Sequence, residues 1–521
     1  MYSDYIKLIK RNPTPYVRID LLNADETVRK EITNEIWDIQ GTINLNKNDG
    51  ARRTCSITID ASGPDFPLNP SDFWFETKFK VWMGIIIRGE PYVFPQGVYC
   101  LTNPNKVYNP GSKTITLQGT DKWCRIDGTM GGVLNKTFKT MFSQDLKQAS
   151  ADILGFSRYL PIENKPDYVP ERDRIDPKPI IFEDWDDEDM NTEAIQYTTD
   201  GDVIYGDKSS SEVYVNDKFI QLNNSNKDNF DLYVLSNDNK YRSVVLRETT
   251  DENGNSMWDG KYITGDIADK QPASSNLVIF MQSISRLSCP YTSAIEAGKT
   301  FADILKEYAK MMMANVYYNA DGYLVFKPYS RSVNEASDFN RDFKWHFTIA
   351  EREMTALSLT YNFQNVYNDL IVLGNISNGY QAQGRLQNRN PASPFSIDKI
   401  GLKTKQPYSD TKYYSDRQCR ELGAYYAQIE MEMEKSGSIT STPLYHLDVG
   451  DIVTITTEQD EKNEPYLVTG LNLPLSPIAT MSITITNMRY FTNWTAVDEK
   501  NNPIDIVTGK VINEKKENEN E

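Results

Sequence analysis

Residues 54–60 read TCSITID, and the period of that stretch decides the fold. Cys55, Ile57 and Ile59 share one face, with polar residues between them. Alternation with period two marks a half-buried strand, because successive side chains of an extended chain point to opposite sides. The same period recurs on either side. Tyr16–Leu22 and Trp37–Leu45 precede the stretch; Phe79–Ile87, Tyr92–Leu101 and Lys113–Gly119 follow it. Clusters of Gly, Pro, Asn and Asp separate these runs. Strands at such spacing predict a sandwich or barrel over residues 1–125.

Beyond this region the pattern changes. Phe138, Met141, Phe142 and Leu146 recur at three- and four-residue steps, and Ala149, Ile153 and Leu154 continue the stripe, which predicts a helix within Met130–Leu154. Residues 161–285 open with a Pro- and charge-rich stretch and an acidic cluster, EDWDDED at Glu183–Asp189. Short β-type runs follow at Glu212–Val215, Lys218–Leu222, Asp231–Leu235, Tyr241–Leu246 and Leu277–Met281. This reads as an inserted β-rich module, since the next helix resumes the interrupted domain. That helix begins at Thr300, with Asp303 completing a capping box. NVYYNADGYLVFKP (Asn315–Pro328) then predicts a hairpin closed by the two-residue turn Asp321-Gly322. An α+β domain is thus expected from residues 126–160 and 286–350.

The final third is again β. Ala356–Tyr361, Val366–Leu373, Ile452–Glu458, Tyr466–Asn472 and Met481–Asn487 are expected strands, and a helix follows Ser415, with Gln418 completing a second capping box. Residues 351–495 form one expected domain with that flanking helix. Residues 496–521 end in VINEKKENENE and are expected to be largely a disordered tail. The expected fold class is mainly β with α+β elements.

Composition narrows function. The chain has 521 residues, 39% of them hydrophobic and 25% charged, the profile of a soluble globular protein. Its longest apolar run, around Val81–Ile87, is far short of the roughly 18 residues that span a bilayer. MYSDYIKLIKRN carries no apolar core of a signal peptide, so synthesis in a cytoplasm is expected. The net charge of −17 argues against stable nucleic-acid binding, which needs clustered Lys and Arg, but suits a channel that DNA traverses without sticking. Cys55, Cys100, Cys124, Cys289 and Cys419 are scattered without a CxxC pair, so buried thiols are expected. Two histidines, His346 and His446, leave little room for His-based chemistry.

Searches for a chemical motif fail. Ala297-Gly298-Lys299-Thr300 resembles the end of a phosphate-binding loop, but Ser293 stands where that loop needs Gly. A helix N-cap explains Gly298 and Thr300. The cluster Asp184, Asp186, Asp187, Glu188 and Asp189 lacks the calcium-loop spacing and reads as a solvated loop. Asp251–Asn255 (DENGN) reads as a hairpin turn. No G-x-S-x-G or H-E-x-x-H occurs, and nothing marks a carboxylate pair for glycoside cleavage. No catalytic, cofactor or metal residues are expected. The inserted module is rich in aromatics, and Trp185, Tyr205, Tyr214, Tyr233 and Trp258 are candidates for ligand or partner contacts, against ordinary packing.

Three segments carry a resemblance. RRTCSITIDASG (52–63) with VFPQGVYCL (Val93–Leu101) and ITLQGTDKW (Ile115–Trp123) is similar to the first domain of the tail-hub, or baseplate-hub, proteins of tailed phages and phage-derived injection particles. Gly298–Pro328 resembles that family's helix–hairpin. LDVGDIVT (Leu447–Thr454), with Tyr466–Leu471 and Ser482–Arg489, resembles the closing strands of its second barrel. Gly97 and Gly119 in one half, and Gly450 and Gly470 in the other, fit a diverged duplication. The resemblance implies two tube-like β-barrels per chain and a homotrimer, made in a host cytoplasm and placed at the virion tail tip. It implies contacts to a tail tube or distal tail protein on one face and to a spike, fibre or tip protein on the other. DNA would pass only transiently. Residues 161–285 have no counterpart in the resemblance. A host-adhesion protein that binds glycan or receptor through them is the alternative expectation, and a cell-wall hydrolase a lesser one.

Overall fold

The alternating runs become strands of a single sheet. In the computed structural model, residues 2–63, 77–156, 174–185, 293–328, 343–348, 353–431 and 435–506 are described with short breaks; between 186 and 286 little beyond the backbone of the strands is described. A 14-stranded sheet is the principal element, and its strands are numbered here β1–β14. The first eight are β1 Pro15–Leu22, β2 Val28–Thr33, β3 Ile39–Asn46, β4 Arg53–Asp60, β5 Lys78–Ile87, β6 Glu90–Leu101, β7 Asn105–Asn109 and β8 Ser112–Asp121. The others are β9 Phe343–Thr348, β10 Met354–Tyr361, β11 Lys435–Ser441, β12 Ile452–Thr456, β13 Glu464–Pro474 and β14 Met481–Asn487. The helices are α1 Tyr2–Ile9, α2 Leu146–Gly155, α3 Phe301–Met311, α4 Ile397–Ile400 and α5 Asp416–Met431.

The sheet order is β2-β1-β5-β6-β8-β4-β3-β13-β14-β11-β10, with β7 beside β8, and β12 joining β9 to β13. The N- and C-terminal halves are therefore not separate: β3 and β13 pair antiparallel from Thr42↔Pro474 to Asn46↔Gly470. No closed barrel forms among the described residues. The two expected barrels are instead hydrogen-bonded edge to edge along β3 and β13.

One face of this sheet closes over a continuous core. Ile43, Ile57, Ile59, Val81, Met83, Leu117, Val468, Ile483 and Ile485 are all fully or nearly fully buried in it. Each such side chain contributes about 1.5–3 kcal/mol on leaving water. Helix α1, unforeseen in the sequence, lies against the same core through Tyr5 and Ile9. Gly41, at the start of β3, has φ +143°, and a Cβ there would lie 2.1 Å from the Ser56 carbonyl oxygen. Only glycine lets β3 approach β4 so closely.

A second core gathers α2, α3, α5, the hairpin Ala314–Tyr318/Leu324–Pro328 and the sheet containing Asp369–Ser377, Tyr380–Asn388 and Trp494–Val497. Thr300 caps α3 as expected, with the reciprocal Asp303 bond present. Three expectations shift. The helix expected within Met130–Leu154 occupies only Leu146–Gly155, because Gly131 and Gly132 take positive φ and Asp145 supplies the N-cap. The hairpin turn is longer than two residues: Asn319 N–H reaches the Tyr323 carbonyl, and Gly322 alone of the Asp321-Gly322 pair has positive φ. The Asn319 side chain holds that turn by accepting from the Asp321 and Tyr323 amides. Finally, Trp494, Ala496, Val497 and Ile504 are buried, so the segment from residue 496 begins as paired strand before the tail.

The two cores are tied by buried charge. Glu26 Oε1 accepts from Lys78 Nζ at 2.7 Å and Lys122 Nζ at 2.8 Å, and Lys122 reaches Asp176 at 2.7 Å. Burial pushes the Glu26 carboxyl up, but Lys122 and Lys78 outweigh it and hold it at about 2. Asp176 lies outside the sheet, so this cluster fixes the β1–β2 turn against the second core.

Candidate functional surface

Over β4, β8, β3, β13, β14, β11 and β10, the face of the sheet turned away from the core is built mainly from hydroxyls and amides; over β5 and β1 the same face carries Lys78, Lys80, Arg18 and Asp20. Directly opposed cross-strand pairs define it. Thr58↔Thr116, Ser56↔Gln118 and Thr54↔Thr120 join β4 to β8. Gln40↔Thr58, Thr42↔Ser56 and Asn44↔Thr54 join β3 to β4. Asn44↔Asn472 crosses the junction of the halves. Asn472↔Ser482 and Gly470↔Thr484 continue to β14. Ser482↔Thr440, Thr484↔Ser438 and Thr486↔Ser436 reach β11. Ser438↔Ser358 and Ser436↔Thr360 then reach β10.

The geometry follows from the sequence. TCSITID, TINLN, KTITLQG, SGSITS and MSITITN each alternate a buried aliphatic or thiol with a short polar residue. The first set packs into the core; the second is left on the outer side. Short side chains keep that side flat. Thr58 and Thr116 hydroxyls hydrogen-bond at 3.0 Å, and Asn472 Nδ2 donates to Asn44 Oδ1 at 2.5 Å.

Charge is nearly missing from these pairs. Asp60, opposite Thr114 at the margin, is the one charged residue among them. One residue in four of the whole chain is charged, so a face of this size drawn at random would carry several. The acidity of the chain lies elsewhere.

The junction beneath this face is firmly held. Arg53 is buried and its guanidinium pairs with Asp448. Gln96 Nε2 donates to the Tyr445 carbonyl at 2.7 Å. The Tyr5 hydroxyl lies 3.0 Å from His446 Nδ1. Asp121 accepts from the amides of Arg53 and Trp123 at 3.0 Å each, and burial pushes its carboxyl up to about 7.

Of the expected aromatic candidates, only Trp185 has a described side chain. Trp185 belongs with the second core: its indole donates to the Phe326 carbonyl at 3.0 Å and its ring meets Phe182 edge-on. Tyr205 and Tyr233 fall on strands of a five-stranded sheet, Tyr214 and Trp258 on strands of a separate four-stranded one. The side chains of these four lie outside the described residues. The acidic cluster divides similarly: Asp184 pairs with Lys327 at 3.0 Å, while 186–189 lie outside the description. Thr250 pairs with Ser256, so the strands flanking Asp251–Asn255 form a hairpin. All five cysteines are buried thiols, as expected. Among the described residues no group of three or more His, Cys, Asp or Glu could hold a metal ion, and no helix is long and apolar enough to cross a membrane.

The hydroxyl and amide face was missed in the sequence, although its signal was present as T-x-S-x-T and its relatives at the polar positions of successive strands.

No protein-family model and no curated protein matches the sequence. Among solved structures, the chain is similar to the 43 kDa tail protein of prophage MuSo2 from Shewanella oneidensis, with TM-score 0.44 and 10% identity, covering 91% of this chain and 98% of that one. It is similar to the tail protein from Neisseria meningitidis MC58, with TM-score 0.46 and 10% identity over 92% of this chain and 98% of that one. It is also similar to prophage tail protein gp18 from Listeria monocytogenes EGD-e, with TM-score 0.41 and 9% identity over 90% and 94%.

Proposed function

We propose that this chain is a non-enzymatic structural subunit of the tail of a phage or phage-like particle, a hub whose uncharged sheet face lines the channel for the genome. The observation that carries the reading is the continuous uncharged face, mostly hydroxyls and amides, that crosses from β4 through the β3–β13 junction to β10. Double-stranded DNA carries one negative charge per about 1.7 Å of axis, and each Lys or Arg it meets acts as a counterion that must be stripped away again. A wall of Asp and Glu would instead repel it. Hydroxyls and amides do neither, because their hydrogen bonds exchange with water at little net cost. Such a wall lets a polyanion pass without gripping it.

Two similar half-sheets per chain, taken three times, supply six comparable units. A homotrimer of this kind would meet a six-fold tail tube or distal tail protein on one face and a three-fold spike, fibre or tip protein on the other. Its place is the virion tail tip, and the nucleic acid is a passing cargo.

The test is charge insertion. Ser56→Lys with Ser438→Lys places cations on the face in both halves without touching the core. Particles should assemble in normal number, while genome delivery falls at least tenfold and recovers in part as salt is raised. Ser56→Asn with Ser438→Asn should deliver normally. Unimpaired delivery by the lysine pair would sink the channel reading, and a strict monomer by light scattering at all concentrations would sink the trimer.

A further inference from the structure

The sheet has edges, and they differ. Strand β2, at one end of the strand order, carries Arg29, Lys30 and Glu31, the charged residues with which exposed edges are normally protected. Strand β10, at the other end, pairs only with β11 among the described residues. From Ala356 to Tyr361 it has no charge and no proline, and Tyr361 is 53% exposed. An uncharged edge of this length is a template for another strand. On the far side of the polar face, β7 pairs only with β8 among the described residues, and all five of its residues are exposed.

Strand direction says what fits. From β7 through β8, β4, β3, β13, β14 and β11 to β10, every neighbouring pair is antiparallel. The series holds an even number of strands, so β7 and β10 run in opposite senses. A rotation about an axis along the strands preserves the sense of each. The β7 of a rotated second copy therefore arrives antiparallel to β10, and the ladder continues without a fault. Face parity agrees as well. Asn105 and Val107 lie opposite Thr116 and Thr114, on the polar side, as Ser358 does on β10.

We propose that β10 of one copy adds to β7 of the next, head to tail, so that the polar face closes into a ring without an exposed edge. This rests on the channel reading above and names the surfaces by which copies join.

Disulfide trapping tests it. Ser358→Cys is combined in one chain with Asn105→Cys, Val107→Cys or Asn109→Cys, and each protein is oxidised mildly at native concentration. One of the three should give a ladder of linked dimers and higher species on a non-reducing gel, and no single variant should. Independently, Thr360→Lys, an exposed change, should weaken self-association at least tenfold with an unchanged circular dichroism spectrum. If light scattering shows an oligomer that no pair cross-links and that Thr360→Lys leaves intact, the edge pairing is wrong and the channel reading stands. If no oligomer forms at any concentration, with or without oxidation, the ring itself is wrong.

Discussion

Asn44 and Asn472, 428 positions apart in the chain, face each other across the β3–β13 junction, with Asn472 Nδ2 donating to Asn44 Oδ1. Short polar residues flank them on either side, Thr54 and Ser56 on β4 and Ser482 and Thr484 on β14.

The bond itself should matter little to stability. Both side chains are exposed, so Asn472→Ala leaves a partner that water can satisfy, and the loss should stay within about 1 kcal/mol. Ile483→Ala, one residue beyond Ser482 on the buried side, should cost about 2–5 kcal/mol through the cavity it opens. Urea denaturation of the two variants checks the contrast.

Glu26 should give the fold an acid-sensitive component. Its carboxyl titrates near 4.5 when unfolded and at about 2 in the fold. A depressed carboxylate stabilises fully above the unfolded value, and that contribution drains away as pH falls toward 2. Glu26→Gln leaves the buried Lys78 without its anion, while Lys122 keeps Asp176, and should cost about 3–5 kcal/mol at neutral pH. The gap in thermal midpoint between wild type and variant should narrow steadily from pH 4.5 to 2.

Asp121 should act in the opposite sense. Raised from 3.8 to about 7, it favours the fold while protonated, and that contribution is lost as pH rises through 7. Asp121→Asn can accept from only one of the two amides, so it should destabilise by about 1–3 kcal/mol near pH 4. The difference should shrink by pH 7, as followed by denaturation across that range.

Gly41→Ala should be poorly tolerated. The added methyl would strike the Ser56 carbonyl while the backbone is held at φ +143°. A loss of about 2–4 kcal/mol is expected from strain and displaced pairing, read as a lower thermal midpoint with no change in secondary structure after folding.

The strands were legible because their signal is local. Strand β4 alternates along its whole length, and Cys55, Ile57 and Ile59 are buried as that pattern requires; β8 and β14 follow it closely. Strands β2 (VRKEIT) and β7 (NKVYN) escaped because an edge strand buries little and so carries little period, and β9 (FKWHFT) and β11 (KSGSITS) were not expected either, β11 because Ile439 is its one apolar residue besides Gly437. Helix α1 is too short for its two buried residues to stand out. The joining of β3 to β13 and the Glu26–Lys122 contact are products of tertiary placement, which no local period encodes. The polar face was readable in part: the spacing shows which residues turn outward, but only strand order shows that they assemble into one surface. The partner of the Trp185 indole, the Phe326 carbonyl, comes from a hairpin far along the chain and could not be read from its neighbours in sequence.

The strict antiparallel order of the polar face has an electrical consequence. Peptide dipoles of adjacent strands point oppositely and cancel, unlike those of a helix. Side chains without formal charge add little to what remains. In the proposed channel, a polymer sliding along this surface would meet little axial field from the backbone, so the wall would favour neither inward nor outward travel. Direction would have to come from the driving pressure at one end rather than from the lining.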